Sequence, residues 1–113
     1  MLPNGDMRSP DVSFVSAARL KQSPRTFANL APDLMVEVKS PTDSLVKTRA
    51  KIAAFLEAGT QVGILINPDN QTVEVYRPNG SVERLQAGDR LQVKELLPGW
   101  ELPIVELWPL EFE

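Results

Sequence analysis

The sequence predicts a mixed α/β fold with one main helix and a hairpin-rich C-terminal half, and three features carry that prediction. Residues 34–39 alternate in side-chain character between two proline breaks, as a strand with two different faces does. Leu45, Ile52 and Leu56 recur on one narrow helical stripe that stops at Gly59. Beyond it, Asn67-Pro68-Asp69-Asn70, Pro78-Asn79-Gly80 and Ala87-Gly88-Asp89 cut the chain into short apolar segments, the spacing of a hairpin series.

Taken in order, residues 11–15 follow the breaker Ser9-Pro10 and read as a short strand, with Val12 and Phe14 on one face and Asp11 and Ser13 on the other. Ser16 is placed to cap a short helix over residues 16–20, which Ser23-Pro24 limits. In the strand at 34–39, Leu34, Val36 and Val38 face one way and Met35, Glu37 and Lys39 the other. Antiparallel pairing of these two strands would bring Asp11 beside Glu37. The main helix is expected over residues 43–58, with Thr42 as N-cap, Ala53 and Phe55 flanking the apolar stripe, and Arg49 inside it. Residues 62–66 are almost wholly apolar, as in a central strand. Residues 72–76 alternate like a half-exposed antiparallel partner, followed by strands at 82–85 and 91–93. From 96 to 108 the chain is proline-interrupted and rich in Leu and Trp. It reads as an extended strap whose Trp100 and Trp108 close one end of the core.

With 113 residues, 42% of them hydrophobic and 24% charged, the composition suits a single modest domain over residues 1–113. There is no cysteine and no histidine, which excludes disulfides, thiol nucleophiles, Cys/His zinc sites and imidazole acid–base chemistry. Catalysis would fall to carboxylates, lysine, hydroxyls or a hard cation such as Mg²⁺ or Mn²⁺. No run of about 18 apolar residues is present, and residues 1–6 lack the build of a signal peptide, so a soluble cytoplasmic protein is expected. A net charge of −3 argues against a nonspecific nucleic-acid coat, although a bound cation would let an acidic protein meet a phosphate locally.

Glu37-Val38-Lys39 is the triplet with chemistry in it. Two residues apart on a strand, its carboxylate and ammonium share a face at a spacing of about 6.5–7 Å. The carboxylate can ligate a hard cation, and the ammonium can stand beside an attacking water or a scissile phosphate. A second acid is required, and Asp11 is the candidate. Such a triplet is common by chance, and charges alternating with valines also describe any half-solvated strand.

The wider wording is more specific. Ser9-Pro10-Asp11-Val12-Ser13-Phe14-Val15, followed by Ala31-Pro32-Asp33-Leu34-Met35-Val36-Glu37-Val38-Lys39-Ser40-Pro41, resembles the PD-(D/E)XK nuclease superfamily, and within it the restriction-endonuclease-like proteins common in bacteria. The resemblance runs on through Asp43, residues 51–59, Ile66-Asn67-Pro68-Asp69 and Val73-Glu74-Val75-Tyr76-Arg77 to Leu97-Pro98-Gly99-Trp100. It implies a restriction-endonuclease-like mixed sheet, with Asp11 and Glu37 as ligands of Mg²⁺ or Mn²⁺ and Lys39 as catalytic lysine. DNA is the implied substrate. Relatives usually carry a helix and strands ahead of the Ser-Pro-Asp segment, whereas here ten residues precede Asp11. The expectation is a homo-oligomer, or a partner that completes the sheet.

Three further residues are candidates for phosphate or pocket contacts. Asp33 shares the parity of Glu37 and Lys39, against its reading as a strand-entry turn. Arg49 can offer a guanidinium fork to phosphate, against a side chain snorkelling at the edge of the stripe. Lys51, like Lys47, reads as a solvated helix charge within reach of a DNA backbone. No recognition helix, aromatic platform or basic stripe gives a means of reading a DNA sequence. The alternative to a metal-dependent endonuclease is a catalytically silent interaction or dimerisation domain on the same fold.

Overall fold

The computed structural model describes residues 12–14 and 31–108. Asp11, the short helix expected over 16–20 and the last five residues lie outside them. A five-stranded sheet runs in the order β1 (Val12–Phe14), β2 (Leu34–Val38), β3 (Val62–Asn67), β4 (Thr72–Tyr76), β5 (Val82–Leu85). The one α-helix among the described residues, α1 (Leu45–Glu57), connects the parallel strands β2 and β3. All other pairs are antiparallel, including β1 with β2, where Val12 faces Val36 and Phe14 faces Leu34. A separate two-stranded sheet, β6 (Arg90–Gln92) with β7 (Glu101–Pro103), leads into a 3₁₀ turn at Ile104–Leu107. No helix among the described residues is long and apolar enough to cross a membrane.

The alternation of β2 divides the core in two. Met35, on the odd parity, packs with Leu65 beneath Ile52 and Phe55 of α1. On the even parity, Leu34 and Val36 join Val62, Ile64, Val73 and Val75 against Leu91, Val93 and Ile104 of the C-terminal hairpin. The central sheet is therefore covered on both faces, which is why β3 is an almost unbroken apolar run. It is also why β4, expected to be half-exposed, is buried along most of its length: α1 reaches over one face and the hairpin closes the other.

Local chemistry explains the other departures from expectation. The helix begins after Ser44, not Thr42. Asp43 is engaged in a tight turn, where its Oδ2 accepts from Ser40 N at 2.8 Å and its own N–H donates to Ser40 O at 3.0 Å, leaving Ser44 Oγ to cap Lys47 N. At the other end Gly59 adopts a φ of 121°, and the Thr60 and Gly59 amides return to the carbonyls of Phe55 and Leu56 in the Schellman pattern. The C-terminal strap contains a strand and a 3₁₀ turn. Trp108 packs on the core, but Trp100 is 41% exposed, because it sits in the turn closed by Leu97 O and projects from its rim.

One contact sets how closely α1 sits on the sheet. Gly63 lies under Ile52, where an added Cβ would come within 2.5 Å of Ile52 Cγ2. Gly63→Ala should therefore lower stability by about 1–3 kcal/mol in urea unfolding by overpacking the helix–sheet seam. In the turn between α1 and β3, the buried hydroxyl of Thr60 has no hydrogen-bond partner among the described residues. Thr60→Val keeps the shape and removes the orphan, and should raise the unfolding free energy by about 1 kcal/mol.

Candidate active site

The helix-facing side of the sheet carries a row of residues that the register sets side by side. Glu37 of β2 is opposite Leu65 of β3, which is opposite Glu74 of β4, which is opposite Arg84 of β5. Two buried carboxylates thus flank one leucine beneath α1. Burying a carboxylate is costly unless an opposite charge accompanies it. The helix supplies one to each.

Lys51 Nζ lies 3.2 Å from both carboxylate oxygens of Glu37, and the two side chains are only 11% and 9% exposed. Arg49 takes Glu74 in a fork, Nε to Oε1 at 3.2 Å and Nη2 to Oε2 at 2.8 Å, and the Tyr76 hydroxyl donates to the same carboxylate. Since residues 49 and 51 lie on opposite flanks of a helix, α1 reaches down to β2 on one side and to β4 on the other. Burial pushes the Glu74 carboxyl up, but hydrogen bonds from Arg49 and Tyr76, with the guanidinium charge, leave it below its ordinary value of 4.5.

Lys39 continues the parity of Glu37. Although it lies just past β2, its backbone N–H still bonds Ile66 O at 2.9 Å, so the side chain stays on the helix-covered face. Its ammonium, 11% exposed, reaches Asp69 Oδ2 at 2.7 Å and Ser40 O at 3.1 Å. Asp69 is presented by the turn after β3, where its N–H donates to Asn67 Oδ1 at 3.0 Å. These groups gather at the carboxyl ends of the two parallel strands, the end at which open α/β sheets build their sites.

The structure thus brings Glu37, Lys39 and Lys51 to one end of one face, and separates the other candidates from them. Asp33 is buried at the opposite end of β2, where its Oδ1 accepts from Gln61 Nε2 at 3.0 Å and its carbonyl accepts from Gln61 N and Val62 N. These bonds make it a strand-entry anchor. Arg49 is committed to Glu74, so its fork is not presented to a phosphate. Lys51 is not a solvated helix charge but a buried counter-ion. Asp69 and Glu74 were not foreseen as participants. The signal for Glu74 was present, since an arginine inside an apolar stripe requires an acid on the strand it covers.

Among the described residues no group of three or more His, Cys, Asp or Glu could hold a metal ion. Glu37 provides one hard oxygen donor in a place that already accommodates positive charge, which suits Mg²⁺ or Mn²⁺ in kind.

The helix-bridged mixed sheet is the nuclease-like α/β fold, of the restriction-endonuclease-like type. Residues 1–105 match the family Uma2, described as "Putative restriction endonuclease", and the chain belongs to that family. Among solved structures it is similar to a chain from Anabaena variabilis ATCC 29413, described as a "putative nuclease belonging to DUF820", at 38% identity with a TM-score of 0.65. The match covers 69% of this chain and 44% of that one, so this chain spans less than half the length of that relative. No curated protein matches it.

The Arg49–Glu74 pair has a pH signature. A carboxyl held below its unfolded value of 4.5 adds stability that is complete above that pH and is lost as pH falls through the folded value. In urea melts, wild type should exceed Glu74→Gln at about pH 7, and the gap should narrow as pH falls below 4.5.

Proposed function

We propose that this chain is a divalent-metal-dependent endonuclease domain acting on DNA, in which Asp11 and Glu37 hold Mg²⁺ or Mn²⁺ and Lys39 acts on the reacting groups. The observation that supports this most is the placing of the Glu37 and Lys39 side chains, both about nine-tenths buried, on the helix-covered face at the carboxyl end of β2. The register Val12 opposite Val36, carried one residue further, would set Asp11 opposite Glu37 on the same face. Family membership and the likeness to a nuclease structure support the same reading.

The chemistry then divides among the side chains. When bound, a divalent cation supplies positive charge to the phosphate and makes an attacking water more acidic. Glu37 and Asp11 fix its position. Lys39 offers its ammonium to the water or to a non-bridging phosphate oxygen, and Asp69 holds that ammonium in place until substrate arrives. Water attacks phosphorus in line and gives up one proton to solvent, one ester P–O bond breaks, and the departing oxygen takes up a proton from solvent, leaving a phosphate monoester and a hydroxyl end.

A catalytically silent interaction domain is the second reading. One observation favours it: Glu37, Lys39 and Glu74 all meet opposite charges within the fold, as purely structural ion pairs would.

Plasmid and single-stranded DNA cleavage with Mg²⁺ or Mn²⁺ separates the two. The endonuclease reading predicts cation-dependent nicking that falls to background in Glu37→Ala and by about 10²–10⁴-fold in Lys39→Ala. Cleavage that survives both substitutions in folded protein, or wild type that never cuts, contradicts it.

A further inference from the structure

The two carboxylates under α1 are held by different kinds of cation, and the difference bears on the metal. Glu74 is locked by a bidentate guanidinium and a phenol. That arrangement is rigid, and removing the fork would leave two oriented hydrogen bonds unmade. Glu37 is met by an ammonium on a flexible four-carbon stem. Lys51 Nζ stands at the same 3.2 Å from both oxygens, equidistant as a chelated cation would be. Lys39, the neighbouring ammonium, is turned toward Asp69 at 2.7 Å.

We infer that Lys51 is an exchangeable counter-ion: its ammonium stands in for a divalent cation at Glu37 in the metal-free protein, gives the carboxylate up when the metal enters, and so sets the metal affinity. This rests on the reading of Glu37 as a metal ligand. An ammonium and a divalent cation at one buried carboxylate repel each other, so loading the site favours withdrawal of the ammonium along its stem. In its absence Glu37 would be a buried charge without that partner, which is why a resident cation is built in. Lys51 is thus a positioning residue for the site, and it opposes binding.

The test is direct Mn²⁺ binding to the full chain, followed by electron paramagnetic resonance of free Mn²⁺ and by isothermal titration, with thermal melts at each Mn²⁺ concentration. Lys51→Met removes the competing charge and keeps the length of the side chain. It should bind Mn²⁺ about tenfold or more tightly than wild type, and its Tm should rise more per increment of Mn²⁺. Lys51→Arg, whose fork grips a carboxylate more firmly, should bind several-fold more weakly. A residue that only supported the fold would not tighten binding on removal. Folded Lys51→Met with unchanged or weaker affinity overturns the inference. Should that variant fail to fold, Lys51→Arg decides: weaker binding supports the inference and unchanged binding overturns it. Glu37→Gln is the separate control. If it binds Mn²⁺ as wild type does, the metal reading of Glu37 fails and the inference falls with it. If it loses binding while the Lys51 variants match wild type, only the role of Lys51 fails.

Discussion

The need to neutralise two carboxylates beneath a helix organises this molecule. Glu37 and Glu74 lie on the same face of adjacent-but-one strands, under the only α-helix among the described residues, and both are largely buried. A helix that merely buried Ile52 and Phe55 could rotate or slide on the sheet. One that must also deliver Lys51 to β2 and Arg49 to β4 has a single seating. Gly63 permits the close approach this seating requires. Ion pairs of this kind add little net stability, since desolvation offsets most of their attraction, but breaking one strands the other charge. Their effect is to specify geometry.

From that seating follows the character of the sheet's carboxyl end. β2 and β3 run parallel, so their ends and the turns after them lie together, and that is where Glu37, Lys39, Lys51 and Asp69 converge. The opposite face is given over to apolar packing against the C-terminal hairpin. The two faces thus do different work: both fill the core, but the helix-covered one also carries the charge. A mixed sheet with a single crossover helix serves this division well, because the crossover covers the charged face and the β-hairpins cover the apolar one.

Much of this was legible in the sequence, for identifiable reasons. The parity of residues 34–39 put Met35, Glu37 and Lys39 together, and the structure keeps them so because pleating is strictly two-residue. The helix, the central strand and the hairpin at Pro78-Asn79-Gly80 followed from periodicity and turn chemistry. What escaped was whatever depended on tertiary cover. β4 alternates like a half-exposed strand, yet Glu74 is buried, because an arginine twenty-five positions earlier in the chain comes to lie over it. Lys51 looks like any solvated helix lysine until the register shows a glutamate beneath it. Asp69 gained its part from the turn after β3, which presents its carboxylate to Lys39. Trp100 read as core by residue type alone, and a turn holds it out.

The central claim is that the carboxyl end of β2 forms a cation site in which Glu37 is a ligand. An anomalous difference map from crystals of the full chain soaked in Mn²⁺ tests it most directly. The account predicts a peak bonded to a Glu37 carboxylate oxygen, with Asp11 as the second protein ligand and the Lys51 ammonium moved away. A map in which Glu37 and Lys51 stay in contact at saturating Mn²⁺, with the ion elsewhere or nowhere, would contradict it.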